Sequence, residues 1–139
     1  MRVVLSGLDA AAWSLVALQV ILEREGHTVS VVADVPAACR RDRPECVVLS
    51  TVLGAPGVDV LRRVRADPAL RGLAVVIGGR LKNTRAELLS LGFDEAFPVA
   101  AADPGGAVAA LRAYLADQSR RSMIVALARP PASHIVCRP

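Results

Sequence analysis

Five short runs of β-branched and aliphatic residues recur along the chain, at 2–6, 28–32, 46–51, 73–77 and 95–99, and between them lie longer stretches with helical spacing. A strand that returns parallel to its neighbour needs a crossover of about a dozen residues, usually a helix, so this alternation predicts βα units around a parallel sheet. The runs at 2–6, 46–51 and 73–77 are almost unbroken aliphatic sequence, as expected of central strands covered on both faces. Helices are expected over 10–25, with Trp13, Val16, Leu18, Val20, Ile21 and Leu22 at helical intervals and Gly26 as the cap, and over 35–41. Further helices are expected over 58–66, stopped by Asp67-Pro68, from a cap at Asn83-Thr84 to Leu91, and from Asp103-Pro104 to about residue 117. Right-handed crossovers then give an α/β, flavodoxin-like, doubly wound five-stranded parallel sheet of order 2-1-3-4-5. Val3, Leu5, Val31, Val47, Leu49, Val75 and Ile77 should be buried in it.

At 139 residues and 53% hydrophobic content, this is one domain with a real core. Residues 1–118 form that domain, and 119–139 read as a basic, Pro-containing tail that carries an apolar patch over 123–128. The net charge of +4 resides in the tail, because all 13 acidic residues stand at or before Asp117 while Arg120, Arg121, Arg129 and Arg138 stand beyond it. A neutral body with one Trp, one Tyr and two Phe offers neither the basic field nor the stacking platforms of a nucleic-acid binder. No uncharged stretch is longer than 10–22, which is too short for a bilayer span, and no secretory signal opens the chain, so a cytoplasmic protein without membrane contact is expected. Cys39, Cys46 and Cys137 are odd in number and lack zinc-ligand spacing, which suits ordinary reduced thiols.

In open α/β sheets ligands sit beyond the carboxyl ends of the strands. The turns expected there read Gly7-Leu8-Asp9, Val52-Leu53-Gly54-Ala55-Pro56-Gly57, Gly78-Gly79 and Ala100-Ala101-Ala102, so small residues gather on one edge. Neither a G-x-G-x-x-G turn nor a phosphate-binding lysine motif is present, which leaves dinucleotide and nucleoside-triphosphate sites unsupported. A phosphoacceptor receiver domain has this fold and length but needs an acidic pair after the first strand and an Asp ending the third. Here those strands end in Ser6-Gly7 and Ser50-Thr51. Ser6, Ser50 and Thr51 have no His near them in the pattern, so a stand-alone enzyme is not expected. His27 is placed at the amino edge, on the surface, and His134 in the tail.

The set of turns resembles the cobalamin-binding domain shared by carbon-skeleton mutases and corrinoid methyltransferases, nearest to the free-standing small subunit of glutamate mutase, over residues 2–115. That family carries D-x-H-x-x-G after the first strand, S-x-L at the end of the third and G-G after the fourth. The matching residues are Asp9-Ala10-Ala11-Ala12-Trp13-Ser14, Ser50-Thr51-Val52 and Gly78-Gly79, with Gly26 and Gly92-Phe93-Asp94 also in place. The resemblance implies a cofactor site at Gly7, Asp9, Ala11, Ser14, Ser50, Thr51, Val52, Gly54, Gly78, Gly79, Val99 and Ala100. Ser50 and Gly78-Gly79 would meet the nucleotide tail of adenosylcobalamin or methylcobalamin.

The departures concern the metal. In the family the motif His coordinates cobalt, its Asp partner orients the imidazole, and the displaced dimethylbenzimidazole tail enters a slot between first helix and sheet. Ala11 stands at the His position and has no lone pair to offer, Ser14 replaces the motif Gly, and Trp13 beside it can fill part of the slot. Asp9 either caps the first helix or contacts a ligand, and Val99-Ala100-Ala101 replaces the family's P-G-T. Cobalamin held without a protein ligand to cobalt, by a small subunit or carrier that works with a larger barrel-type catalytic partner, is the leading expectation. A degenerate homologue that has lost the cofactor and acts as an interaction or regulatory module is the alternative, and a binder of some other small ligand ranks third. A homodimer is also admitted. A bulky residue at Gly79 should weaken cobalamin binding, or partner binding if no cofactor binds, and leave the protein folded.

Overall fold

The computed structural model describes the backbone of residues 1–8, 12–51, 54–98 and 104–128, and the side chains of these except 12–14, 54, 104 and 125–128. Strands β1 (Arg2–Gly7), β2 (Thr28–Val31), β3 (Cys46–Ser50), β4 (Ala74–Gly79) and β5 (Glu95–Pro98) alternate with helices α1 (Ala12–Arg24), α2 (Val35–Asp42), α3 (Gly54–Ala66), α4 (Arg85–Ser90) and α5 (Pro104–Ala128). The five strands are parallel in the order β2-β1-β3-β4-β5, as the alternation predicts.

Because side chains alternate along a strand, each central strand feeds two cores. Val4, Val47 and Val75 are successive register partners and, with Leu49 and Ile77, pack on Val35 and Cys39 of α2, Leu61 and Val64 of α3 and Leu88 of α4. Leu5, Val48 and Val76 face the other way, onto Leu15 and Leu22 of α1 and Leu111 and Leu115 of α5. Local chemistry sets the helix starts. Asp34 accepts the Ala37 N–H at 3.1 Å ahead of α2, and Thr84 and Glu87 close a reciprocal capping box on α4. At the amino edge Arg65, in the last turn of α3, donates to the Leu73 carbonyl at 2.6 Å and to Asp94 Oδ2 at 2.6 Å.

Five sequence expectations need correction. Val31 is 45% exposed, because β2 is an edge strand paired on one side only and Val31 is its last residue. His27 does lie at the amino edge, but it is buried at 8% exposure. Gly26 turns the chain with φ +92°, which brings the His27 N–H back to the Leu22 carbonyl under the end of α1. α3 begins at Gly54, a turn before the expected 58, and β4 runs through Gly78 and Gly79, which were expected in a turn. The last helix does not stop near 117: α5 continues unbroken across residues 118 and 119 to Ala128, so the apolar patch over 123–128 is helical in its backbone. Among the described residues, no helix is long and apolar enough to cross a membrane.

Candidate functional site

The register of the three central strands aligns residues at their carboxyl ends. Gly7 pairs with Ser50, Ser50 with Gly78, and Gly78 with Phe97, so a row of small, uncharged positions crosses the carboxyl end of the sheet. By strand alternation this row lies on the α1/α5 face, where Phe97 is packed. Ser50 and Gly78 are only half-buried, which leaves the part of the row over β3 and β4 accessible. Gly7 is half-buried as well, but the space a side chain would take there is filled. A Cβ at Gly7 would fall 2.6 Å from Leu15 Cδ1, so the first helix rests directly on the end of the first strand.

The two β4 glycines differ in kind. A Cβ at Gly78 would meet the Phe97 carbonyl at 3.4 Å, near ordinary contact, whereas one at Gly79 would stand 1.9 Å from the Thr51 carbonyl oxygen, and Gly79 has φ +133°. Gly79 is therefore required by the backbone, and the expectation that a bulky residue there leaves the fold intact is corrected. The Thr51 N–H donates to the Gly78 carbonyl at 3.1 Å and the Leu8 N–H to the Ser50 carbonyl at 3.0 Å, which extends the ladder into the loops. Thr51 and Ser6 are fully buried, and Ser6 Oγ has no hydrogen-bond partner among the described residues.

The structure thus brings together Gly7, Ser50, Thr51, Gly78 and Gly79. Asp9, Ala11, Val52, Val99 and Ala100 lie outside the described residues; Ser14 and Gly54 stand in α1 and α3 as backbone, their side chains outside the description. Two residues the sequence reading passed over belong to the same edge: Arg80 and Lys82 follow β4, both exposed and without an ion-pair partner among the described residues. Their position directly after Gly78-Gly79 was the available signal.

A histidine-ligated cobalamin does not fit these residues. His27, the described histidine, is at the opposite edge, where burial lowers its pKa, and Leu15 occupies the space over Gly7 that a displaced nucleotide base would need. The accessible Ser50/Gly78 stretch is poor in side chains and holds no charged residue. Among the described residues no group of three or more His, Cys, Asp or Glu is gathered as a metal site. Cys39 and Cys46 are buried free thiols, with burial raising their pKa values to about 11 and about 12.

No known protein family and no curated protein matches the sequence. Solved structures match its fold. A cobalamin-binding protein from Desulfitobacterium hafniense DCB-2 superposes with a TM-score of 0.60 at 20% identity, covering 68% of this chain and 51% of that one. The chain thus spans about half of that protein's length. The receiver domain of the Francisella response regulator 1452 superposes with a TM-score of 0.67 at 16% identity over 87% of this chain and 98% of its own. The receiver domain of a sensor histidine kinase from Pseudomonas aeruginosa PAO1, with magnesium in its active-site cleft, gives 0.58 at 20% identity over 80% of this chain and 91% of its own. The fold is flavodoxin-like, shared equally by the cobalamin-binding protein and the receivers.

Proposed function

We propose that this chain is a cobalamin-binding module, a small subunit or carrier that holds the cofactor base-on at its carboxyl edge and presents it to a larger catalytic partner. The observation that carries the reading is the row Gly7, Ser50 and Gly78 across three adjacent strands, uncharged and accessible over β3 and β4. A receiver needs carboxylates at this edge to hold a cation beside a phosphoacceptor; here β3 ends in Ser50 and Thr51 follows it. When bound, cobalamin supplies a cobalt–carbon bond whose cleavage delivers a radical or a methyl group. The chain's own residues bind and orient: Ser50 offers a hydroxyl, Gly78 admits close approach, and Arg80 and Lys82 are placed for the phosphodiester of the nucleotide tail. With no His near Ser6, Ser50 or Thr51 in the sequence pattern, the reaction itself falls to the partner.

A second reading, an interaction module without cofactor, is favoured by one specific contact, Leu15 on Gly7, which narrows the β1 end of the row. Gel filtration of the full chain with hydroxocobalamin separates the two. Co-elution of protein and corrin absorbance supports the cofactor reading; a colourless protein peak supports the interaction module.

A further inference from the structure

α5 is 25 residues long, about 37 Å at 1.5 Å per residue, against 13 residues for α1 beside it. Arg112 of α5 pairs with Glu25 just past the end of α1, which fixes the level at which α5 leaves the body. Up to Leu115 it is held by the core, and Gln118 and Ser122 then skirt a groove of about 370 Å³ at the amino edge. At 100° per residue, Leu111, Leu115, Gln118 and Ser122 share the side of α5 turned to the body, Arg120 and Ile124 lie on the opposite side, and Met123 lies on the flank. Met123 is 62% exposed and Ile124 64%. Because this apolar face points away from its own domain, the body it belongs to cannot cover it. An uncovered helical projection of this length is also marginal in water.

The same chain carries a second uncovered stripe. Val16 and Val20, one turn apart on α1, are 64% and 42% exposed, and Glu23 continues their line, exposed and without an ion-pair partner among the described residues. The two stripes match when run antiparallel: Arg120 then Ile124 on α5 against Glu23 then Val20 on α1, a cation against an anion and a branched apolar side chain against another. Arg120 reaches its own Asp117 only at 3.6 Å, and Arg121 pairs with the same carboxylate at 3.1 Å, so the projection retains a positive charge to offer.

We propose that two copies of this chain form a two-fold dimer in which the projecting end of each α5 lies antiparallel on the α1 stripe of the other. One operation then covers both surfaces on both chains, which is the self-complementarity an isologous interface requires. Amino edges face one another, and the carboxyl edges stay free at the two ends.

Sedimentation velocity on the full chain tests this. Wild type should sediment as a dimer; Ile124→Glu and Val20→Glu, both at exposed positions, should each weaken association about tenfold or more while far-ultraviolet circular dichroism stays unchanged. Val16→Glu repeats the α1 arm should Val20→Glu disturb the fold. An equimolar mixture of the Ile124→Glu and Val20→Glu chains retains one intact contact of the two and should recover part of the dimer. Glu23→Arg and Arg120→Glu should each weaken the dimer, and their combination should restore it. A monomer at all concentrations would overturn the proposal. So would a dimer that survives either Ile124→Glu or both α1 variants, because the projection would then be covered by something other than α1 of a second copy.

Discussion

Gly79 and Thr51 touch backbone to backbone where β4 and β3 end: a Cβ on Gly79 would stand 1.9 Å from the Thr51 carbonyl oxygen, in a conformation with φ +133°. Gly79→Ala should therefore cost on the order of 3 kcal/mol, combining left-handed strain with overpacking. Gly78→Ala, whose new methyl would meet the Phe97 carbonyl at 3.4 Å, should cost less than about 1 kcal/mol. Urea denaturation of the two variants checks the contrast. Gly78 is accordingly the position at which the edge can be altered in a folded protein.

His27 gives the fold its pH response between neutrality and mild acid. It is buried, Nδ1 has no partner among the described residues, and burial holds its pKa below the ordinary 6.5. Below about pH 6.5 the unfolded chain takes up a proton that the folded chain resists, so this contribution to stability is whole above that pH. It is lost as pH falls toward the lower folded-state value. Melting temperature measured from pH 7.5 to 5 should fall for wild type and stay flatter for His27→Phe.

Asp94 closes the amino edge through Val75. Its N–H donates to the Val75 carbonyl at 2.9 Å and its Oδ2 accepts the Val75 N–H at 2.7 Å, beside the ion pair to Arg65. The ion pair is partly exposed, at 34% and 41%, and contributes little; the backbone N–H left without an acceptor dominates. Asp94→Ala should lose about 1–2 kcal/mol and Asp94→Asn, which keeps an acceptor, distinctly less, by chemical denaturation.

Strand order, core face and most helix starts were legible in the sequence because periodicity and capping chemistry are local. Val4, Val47 and Val75 sit in continuous aliphatic runs, and Thr84 with Glu87 three residues on is a capping signature. What escaped depends on neighbours. Burial of His27 depends on the turn at Gly26 folding under α1, exposure of Val31 on β2 being an edge, and the continuation of α5 past Asp117 on the absence of any breaker before Pro130. At the site, the sequence placed Gly7, Ser50 and Gly78 on one edge. That Leu15 crowds Gly7, and that Gly79 is held by Thr51, required the packing of α1 and β4.

Arg80 and Lys82 test the orientation assigned to the cofactor. If they meet the phosphodiester of the nucleotide tail, Arg80→Glu and Lys82→Glu should each weaken cobalamin binding roughly two- to fivefold, more strongly at low salt, with no change in melting temperature. Equilibrium dialysis at two ionic strengths checks both. Equal affinity for wild type and the Arg80→Glu/Lys82→Glu double variant would place the tail elsewhere.

Electron paramagnetic resonance of the chain loaded with cob(II)alamin, in natural-abundance and ¹⁵N-labelled protein, bears most directly on cobalamin bound base-on at the carboxyl edge. The account predicts protein-bound cob(II)alamin with superhyperfine splitting from the cofactor's own dimethylbenzimidazole nitrogen, identical in the labelled and unlabelled protein. Splitting that changes on labelling would show a protein nitrogen on the cobalt and contradict the base-on assignment. Cobalamin that separates wholly from the protein when the sample is desalted before the measurement would contradict the cofactor reading itself.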